Sequence, residues 1–201
     1  MRTRTLITRI AIGTTAVAVA ALTATQAATA HGGDDDDDKQ DFRGTLMELN
    51  GSGVSGDVRV VDEDGELRVK VDARGVENMQ MHMSHIHGHA DLSQASCPDM
   101  SVAGADGILS IGEGLPAYGP VFVTIANDHV MKPRLKFDRD FTMTDPGSPL
   151  AGASVDEMGD LGKFVIVVHG MTAADDGEPG NGVMPGYIPA LPVACAVLEE
   201  H

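Results

Sequence analysis

From Asp41 onward, apolar residues recur mainly at every second position. In ELRVKVDA, Leu67, Val69 and Val71 alternate with Arg68, Lys70 and Asp72, the pattern of a strand with one face buried and the other in water. The run VRVV before it leads into Asp62-Glu63-Asp64-Gly65, and Asp-Gly between two alternating runs predicts a hairpin whose first partner is expected in FRGTLMEL. Further strands are predicted at VFVTIA, at RLKFDRDFTM with Leu135, Phe137, Phe141 and Met143 on one face, at KFVIVVH and at VACAVL. No stretch after residue 30 keeps a 3.6-residue apolar period over three turns, so the predicted fold is all-β, an antiparallel β-sandwich over residues 42–201. Two segments break the pattern, one from Asp145 to Gly162 and one from Met171 to Pro192, both heavy in Gly, Pro and Asp. Loops of this length in a compact domain are usually functional or mobile.

Composition narrows the class. The 201 residues carry 14 Lys+Arg against 30 Asp+Glu, a net charge of −16, which repels nucleic acid and anionic membrane surfaces. The two cysteines, Cys97 and Cys195, are too few for a zinc ribbon or a disulfide-dense miniprotein. Residues 1–30 read as a secretory signal: Arg2, Arg4 and Arg9, an apolar run from Ile10 to Leu22, and small residues at Ala28-Thr29-Ala30, with Thr25-Gln26-Ala27 as the rival cleavage site. The apolar run is shorter than the ~18 to 20 residues a membrane span needs, so no span is expected once the signal is removed. The stretch 31–41, with five consecutive Asp, reads as a solvated tether. Cleavage after Ala30 makes His31 the N-terminus, where amine and imidazole together can chelate copper; a tether histidine equally needs no role. Export is expected to leave the protein secreted or in the cell envelope, where a disulfide persists.

The chemistry concentrates in MQMHMSHIHGHAD. If Met79 to His87 is extended, Met79, Met81, Met83, His85 and His87 share one face, and Gln80, His82, Ser84 and Ile86 the other. His-x-His on a strand aims two imidazoles into one space. Imidazole suits Cu(II), and thioether sulfur stabilises Cu(I). The methionines have two readings, as Cu(I) ligands or as core residues of an apolar face. A third imidazole, His169, ends the apolar strand FVIVVH before a long loop, which is what a three-histidine site requires.

These pieces together resemble the copper/zinc superoxide dismutase superfamily. That family pairs an H-x-H-x-G-like motif with a Cys about ten residues on, then a V-V-H strand, then an A-C-G-V-type strand with the second Cys. This chain has SHIHG with His85 and His87, SCP with Cys97, VVHG with His169, and VACAVL with Cys195. The resemblance implies a Greek-key β-sandwich, copper on His85, His87 and His169, superoxide as substrate, and a Cys97–Cys195 disulfide. Secreted bacterial relatives, some with chordin-type domains, also share the segment that stands here as ADGILSIGEGLPAYGP. Asp106-Gly107 and Glu113 in it are spaced like a calcium loop, but Val102 and Gly104 stand where carboxylates are wanted, so calcium is not expected and the segment is read as a turn and loop.

The departures bear on activity. Between Cys97 and His169 the only histidine is His129, without a matching motif, so the family's zinc site is not expected. Pro192 occupies the place of the arginine that lines the family's anion channel. A dismutase needs a cycling copper, an open position, a proton source and a positive potential; the last two are not evident. Three readings therefore stand: a copper site with at most weak dismutase or redox activity, a non-catalytic copper-buffering or delivery module, and a metal-free interaction module. His89 and Met83 are candidate further ligands, with His89 placed in doubt by a turn at Gly88. His82 and His129 receive no role.

Overall fold

The computed structural model describes residues 39–63, 66–141, 158–173 and 186–201. The expected signal segment, most of the tether, His31, the Asp64-Gly65 turn, Met143 and the middles of both long loops lie outside these residues. The described residues belong to one compact unit that begins at Asp35.

The period-two pattern forms strands where it was strongest. β1 (Gln40–Glu48), β2 (Ser55–Glu63) and β3 (Glu66–Arg74) make an antiparallel meander. In β3, Leu67, Val69, Val71 and Ala73 are buried, while Glu66, Arg68 and Arg74 face water. β4 (Gln80–His87) and β5 (Val121–Val130) form a second antiparallel pair, and β6 (Arg134–Phe141) then returns to lie against β3. That return across the fold is a Greek-key connection. β7 (Val165–Ala173) lies between β4 and β8 (Gly186–Val197). The order is β5-β4-β7-β8-β1-β2-β3-β6, with the short β9 (Glu199–Glu200) on β1. β1 joins the two halves, since Gln40 to Leu46 pair with β2 and Met47 and Glu48 pair with β8.

The inner faces of both halves share one core. Val60, Leu67, Val69 and Val71 pack in the same buried cluster as Ile86, Ile125, Ile166 and Val168. The all-β fold is thus as expected. Two boundaries differ. β1 starts at Gln40, two residues before the expected domain start, because Asp41 is held by Arg59, whose Nε donates to its carboxylate at 2.8 Å. The expected loop from Met171 to Pro192 has strand at both flanks, since Met171 to Ala173 pair with Gly186 to Ile188.

A second cluster lies on the outside of β7. Val165 and Val167 pack there with Leu49, Ala95, Leu109, Tyr118 and Cys195, which explains why β7 reads as an unbroken apolar run: both faces are covered. The cover is the segment between β4 and β5. It holds a helix the alternation did not predict, α1 (Ile111–Tyr118), so the turn-and-loop expectation for ADGILSIGEGLPAYGP is corrected. The helix starts on a capping box, in which Glu113 Oε2 accepts from Ser110 N and Oγ, both at 2.8 Å, and Ser110 Oγ accepts from Glu113 N. These bonds satisfy donors that a helix end would otherwise leave bare. The Cys97–Cys195 disulfide ties this cover to β8 across a separation of 98 residues.

Two outcomes follow from this packing. Ser110→Ala is expected to cost about 1 kcal/mol of stability, the usual loss for an N-cap hydroxyl, read as a lowered denaturation midpoint at unchanged slope. Reduction of the disulfide is expected to cost roughly 4 kcal/mol on the chain-entropy account, and two free thiols in unreduced, denatured protein would contradict the link.

Candidate metal centre

Alternation along β4 and its pairing with β7 assemble three histidines. In that ladder Met83 stands opposite His169, His85 opposite Val167, and His87 opposite Val165. His85 and His87 therefore lie beside His169 on the outer face, under the cover that carries Tyr118. Register shifts occur in β4 against β5, at Ser84/His85 and Ile86/His87, and in β7 against β8 on both sides of His169, irregularities of the kind common next to functional sites. One donor nitrogen from each of His85, His87 and His169 lies within 4.8 Å of the others, and among the described residues no second such group of three His, Cys, Asp or Glu occurs.

The hydrogen bonds fix which nitrogens face the centre. His169 Nδ1 donates to the Ala190 carbonyl at 2.8 Å, and His87 Nδ1 donates to the Gly119 carbonyl at 2.9 Å. A neutral imidazole with its proton on Nδ1 keeps a lone pair on Nε2. The two Nε2 atoms face each other at 3.4 Å. Two lone pairs so placed repel unless a cation lies between them, and two nitrogens each about 2.0 Å from one ion sit about 3.5 Å apart at a trigonal angle. His85 Nδ1 is buried with no hydrogen-bond partner among the described residues. An orphaned buried nitrogen is costly, and a metal ion would relieve it.

Burial also holds the rings neutral. Desolvation, with His87 as a second cause, lowers the His85 pKa to about 4. Desolvation, then the charges of His85 and His87, lowers that of His169 to about 3. His87 is lowered mainly by burial. Neutral imidazole is the form that binds metal, so protons compete weakly at neutral pH. The three residues fit a trihistidine metal ion, and copper suits an all-imidazole set with thioether nearby.

The surroundings are built backbone by backbone. Gly119 (φ 75) ends α1 and approaches Gly88 so closely that a Cβ would meet the Gly88 oxygen at 2.0 Å. This contact brings the Gly119 carbonyl to His87. The Tyr118 ring packs edge-on at 4.8 Å from the His87 ring. On the opposite, core side, His82 is fully buried, with Nε2 2.7 Å from the Glu77 carbonyl and Nδ1 3.1 Å from that of His169; a neutral ring has one N–H and donates to one of the two. Glu77's carboxylate accepts from Thr172 N and Oγ1, and Tyr187 OH donates to the Met81 carbonyl. A Cβ on Gly170 (φ 110) would strike Tyr187 OH and His82 Nδ1. His82 thus packs directly behind the backbone of His169. Sequence alone placed it on the other face and gave it no role, because its partner is a backbone group distant in sequence.

The other candidates fall outside the group. His89 Nε2 lies 3.2 Å from the Ala117 carbonyl. His129 is exposed on β5. Met79 has φ 63 and lies outside β4, so the expected face begins at Met81. Met79 is 62% exposed, and Met81 and Met83 are half-buried and belong to none of the buried clusters. The core reading of these methionines does not hold. Met83 keeps the place beside the centre, across from His169. The calcium-like spacing is a helix cap and a turn, with Glu113 on Ser110 and Asp106 Oδ1 accepting from Ile108 N at 2.9 Å.

No protein-family model matches the chain, and no curated protein matches it. Solved structures similar to it include Candida albicans superoxide dismutase 5 in its Cu(II) form, 13% identical over 80% of this chain and 91% of that one at a TM-score of 0.38. A mutant of the same Candida protein is 12% identical over 79% and 90%, also at 0.38. No helix among the described residues is long and apolar enough to cross a membrane.

The lowered histidine pKa values set an acid dependence. The unfolded chain takes up protons near pH 6.5, while the native rings resist until about pH 4 and 3. Stability of the metal-free protein is therefore full above pH 6.5 and lost as pH falls toward those values, on the order of a few kcal/mol. Urea denaturation at pH 7.5 and 4.5 reads this, and His169→Phe should flatten the difference. Equal stability at the two pH values would contradict neutral burial.

Proposed function

We propose that this is an exported copper-binding protein in which His85, His87 and His169 hold one copper ion, with at most weak superoxide dismutase activity. The observation that carries the reading is the geometry of the donors: two Nε2 atoms face each other at 3.4 Å, and His85 Nδ1 is buried beside them without a partner. A bound copper would supply one-electron chemistry by alternating between Cu(II) and Cu(I). The chain's own residues hold the site in one form. Ala190 and Gly119 fix the tautomers of His169 and His87, His82 packs behind the backbone of His169, and the cover with Tyr118 screens His87 from water.

The same surroundings argue against fast dismutation. Superoxide is an anion, and steering of such a substrate alters on-rates by ~10 to 10³-fold. The β8 residue in register with His169 is Pro192, which carries no charge, and the chain's net charge is −16. Half-buried Met83 beside His169 favours holding copper in its reduced state, which supports a buffering or delivery role for the same centre. The signal-like segment 1–30 and the Cys97–Cys195 disulfide support an extracytoplasmic location.

Chelator competition tests the centre. One Cu(II) per chain is expected, weakened more than ~100-fold by His85→Ala or His169→Ala, since even outer-shell changes typically cost 10- to 100-fold, and unchanged by His129→Ala. Copper-loaded protein, assayed with chelator to remove free metal, should show little dismutation beyond the His85→Ala variant. Turnover near the diffusion limit that survives chelation and vanishes in His85→Ala would restore a full dismutase.

A further inference from the structure

The β4–β5 pair carries the histidines at one end and a cluster of thioethers at the other. Met81 stands directly opposite His129 in the ladder. Residues so paired project from the same face, with Cβ atoms about 5 Å apart. The Met79 N–H donates to the Val130 carbonyl at 2.7 Å, and since Gln80 also pairs with Val130, Met79 (φ 63) is a bulge residue opposite Val130, the residue before Met131. Three thioethers and one imidazole are therefore carried within two residues along the chain of the Met81–His129 pair.

Packing does not account for them. Met79 is 62% exposed and Met131 71% exposed, His129 is exposed, and Met81 is half-buried. None belongs to a buried cluster. One exposed methionine needs no explanation, but three at one strand end beside an imidazole form a donor set. Thioether sulfur is uncharged, polarizable and soft, so it favours Cu(I)-like ions over hard divalent cations.

We propose that Met79, Met81, Met131 and His129 form a second metal site, selective for a soft monovalent cation of the Cu(I) and Ag(I) class and separate from the trihistidine centre. The site stands on its own donors and does not depend on the copper reading of that centre. Met83 lies between the two, two residues from Met81 and two from His85, and is not needed for the second site.

Ag(I), which does not change oxidation state here, is the probe. The full-length protein is labelled at its methionine methyl groups and titrated with Ag(I), followed by NMR. The methyl signals of Met79, Met81 and Met131 should shift together and saturate at one equivalent per site. The double variant Met81→Leu/Met131→Leu, a near-isosteric change at accessible positions, should weaken that binding at least tenfold, whereas Met100→Leu should not. Cu(II) binding at the histidines, measured in the same double variant, should be unchanged. Methyl signals that do not move, or Ag(I) affinity equal in the double variant and the parent, would overturn the site. Loss of Cu(II) affinity in the double variant would overturn its separateness, while loss of Cu(II) binding in His85→Ala alone speaks only to the first centre.

Discussion

The antiparallel pairing of β4 with β7 is the constraint on which the centre depends. It sets Met83 across from His169 and His85 and His87 across from Val167 and Val165, so His169 joins His85 and His87, from which it is distant in sequence, on one outer face. The cover packs Leu109 and Tyr118 with Val165 and Val167, burying His87 and His169 and leaving His85 half-buried, and the disulfide pins the cover to β8. Burial then does chemical work: it keeps the rings neutral, and backbone carbonyls dictate which nitrogen is left with its lone pair. Fold and donor set are thus one object. Loosening the cover would wet the histidines, and shifting either register would turn them away.

Much of this was legible in the chain. A period of two puts His85 and His87 on one face wherever β4 is extended, and an apolar run ending in His169 marks a strand buried on both sides. The helix was not legible by periodicity, because Gly112, Gly114 and Pro116 leave no apolar stripe in its eight residues. Its signal is Ser110 followed three residues later by Glu113, the spacing of a capping box, which the calcium-loop comparison through Asp106-Gly107 and Glu113 passes over. Met79 escaped because alternation assumes an extended backbone, and its φ is 63. His82 escaped because its neighbours are the backbone carbonyls of Glu77 and His169, and no pattern of side chains reports backbone acceptors.

Charge and softness separate what the centre can hold from how fast it can work. Three neutral imidazoles make a strong site for a late divalent ion, while the −16 chain and Pro192 beside His169 do nothing to draw in an anion. Arg59 on β2 pairs with Asp41 and Arg68 on β3 with Asp138, so these cations serve cross-strand contacts rather than a positive funnel. Binding an ion well and turning over a substrate fast are different demands, and neutral, buried imidazoles suit the first.

The central claim is that three imidazoles share one copper, His87 and His169 through Nε2 and His85 through Nδ1. Pulsed EPR of protein holding one equivalent of Cu(II) counts coupled imidazoles directly. Three in the parent, falling to two in His85→Ala with a changed spectrum, is the predicted result. Spectra that are identical in the two proteins would place the copper elsewhere and contradict the account.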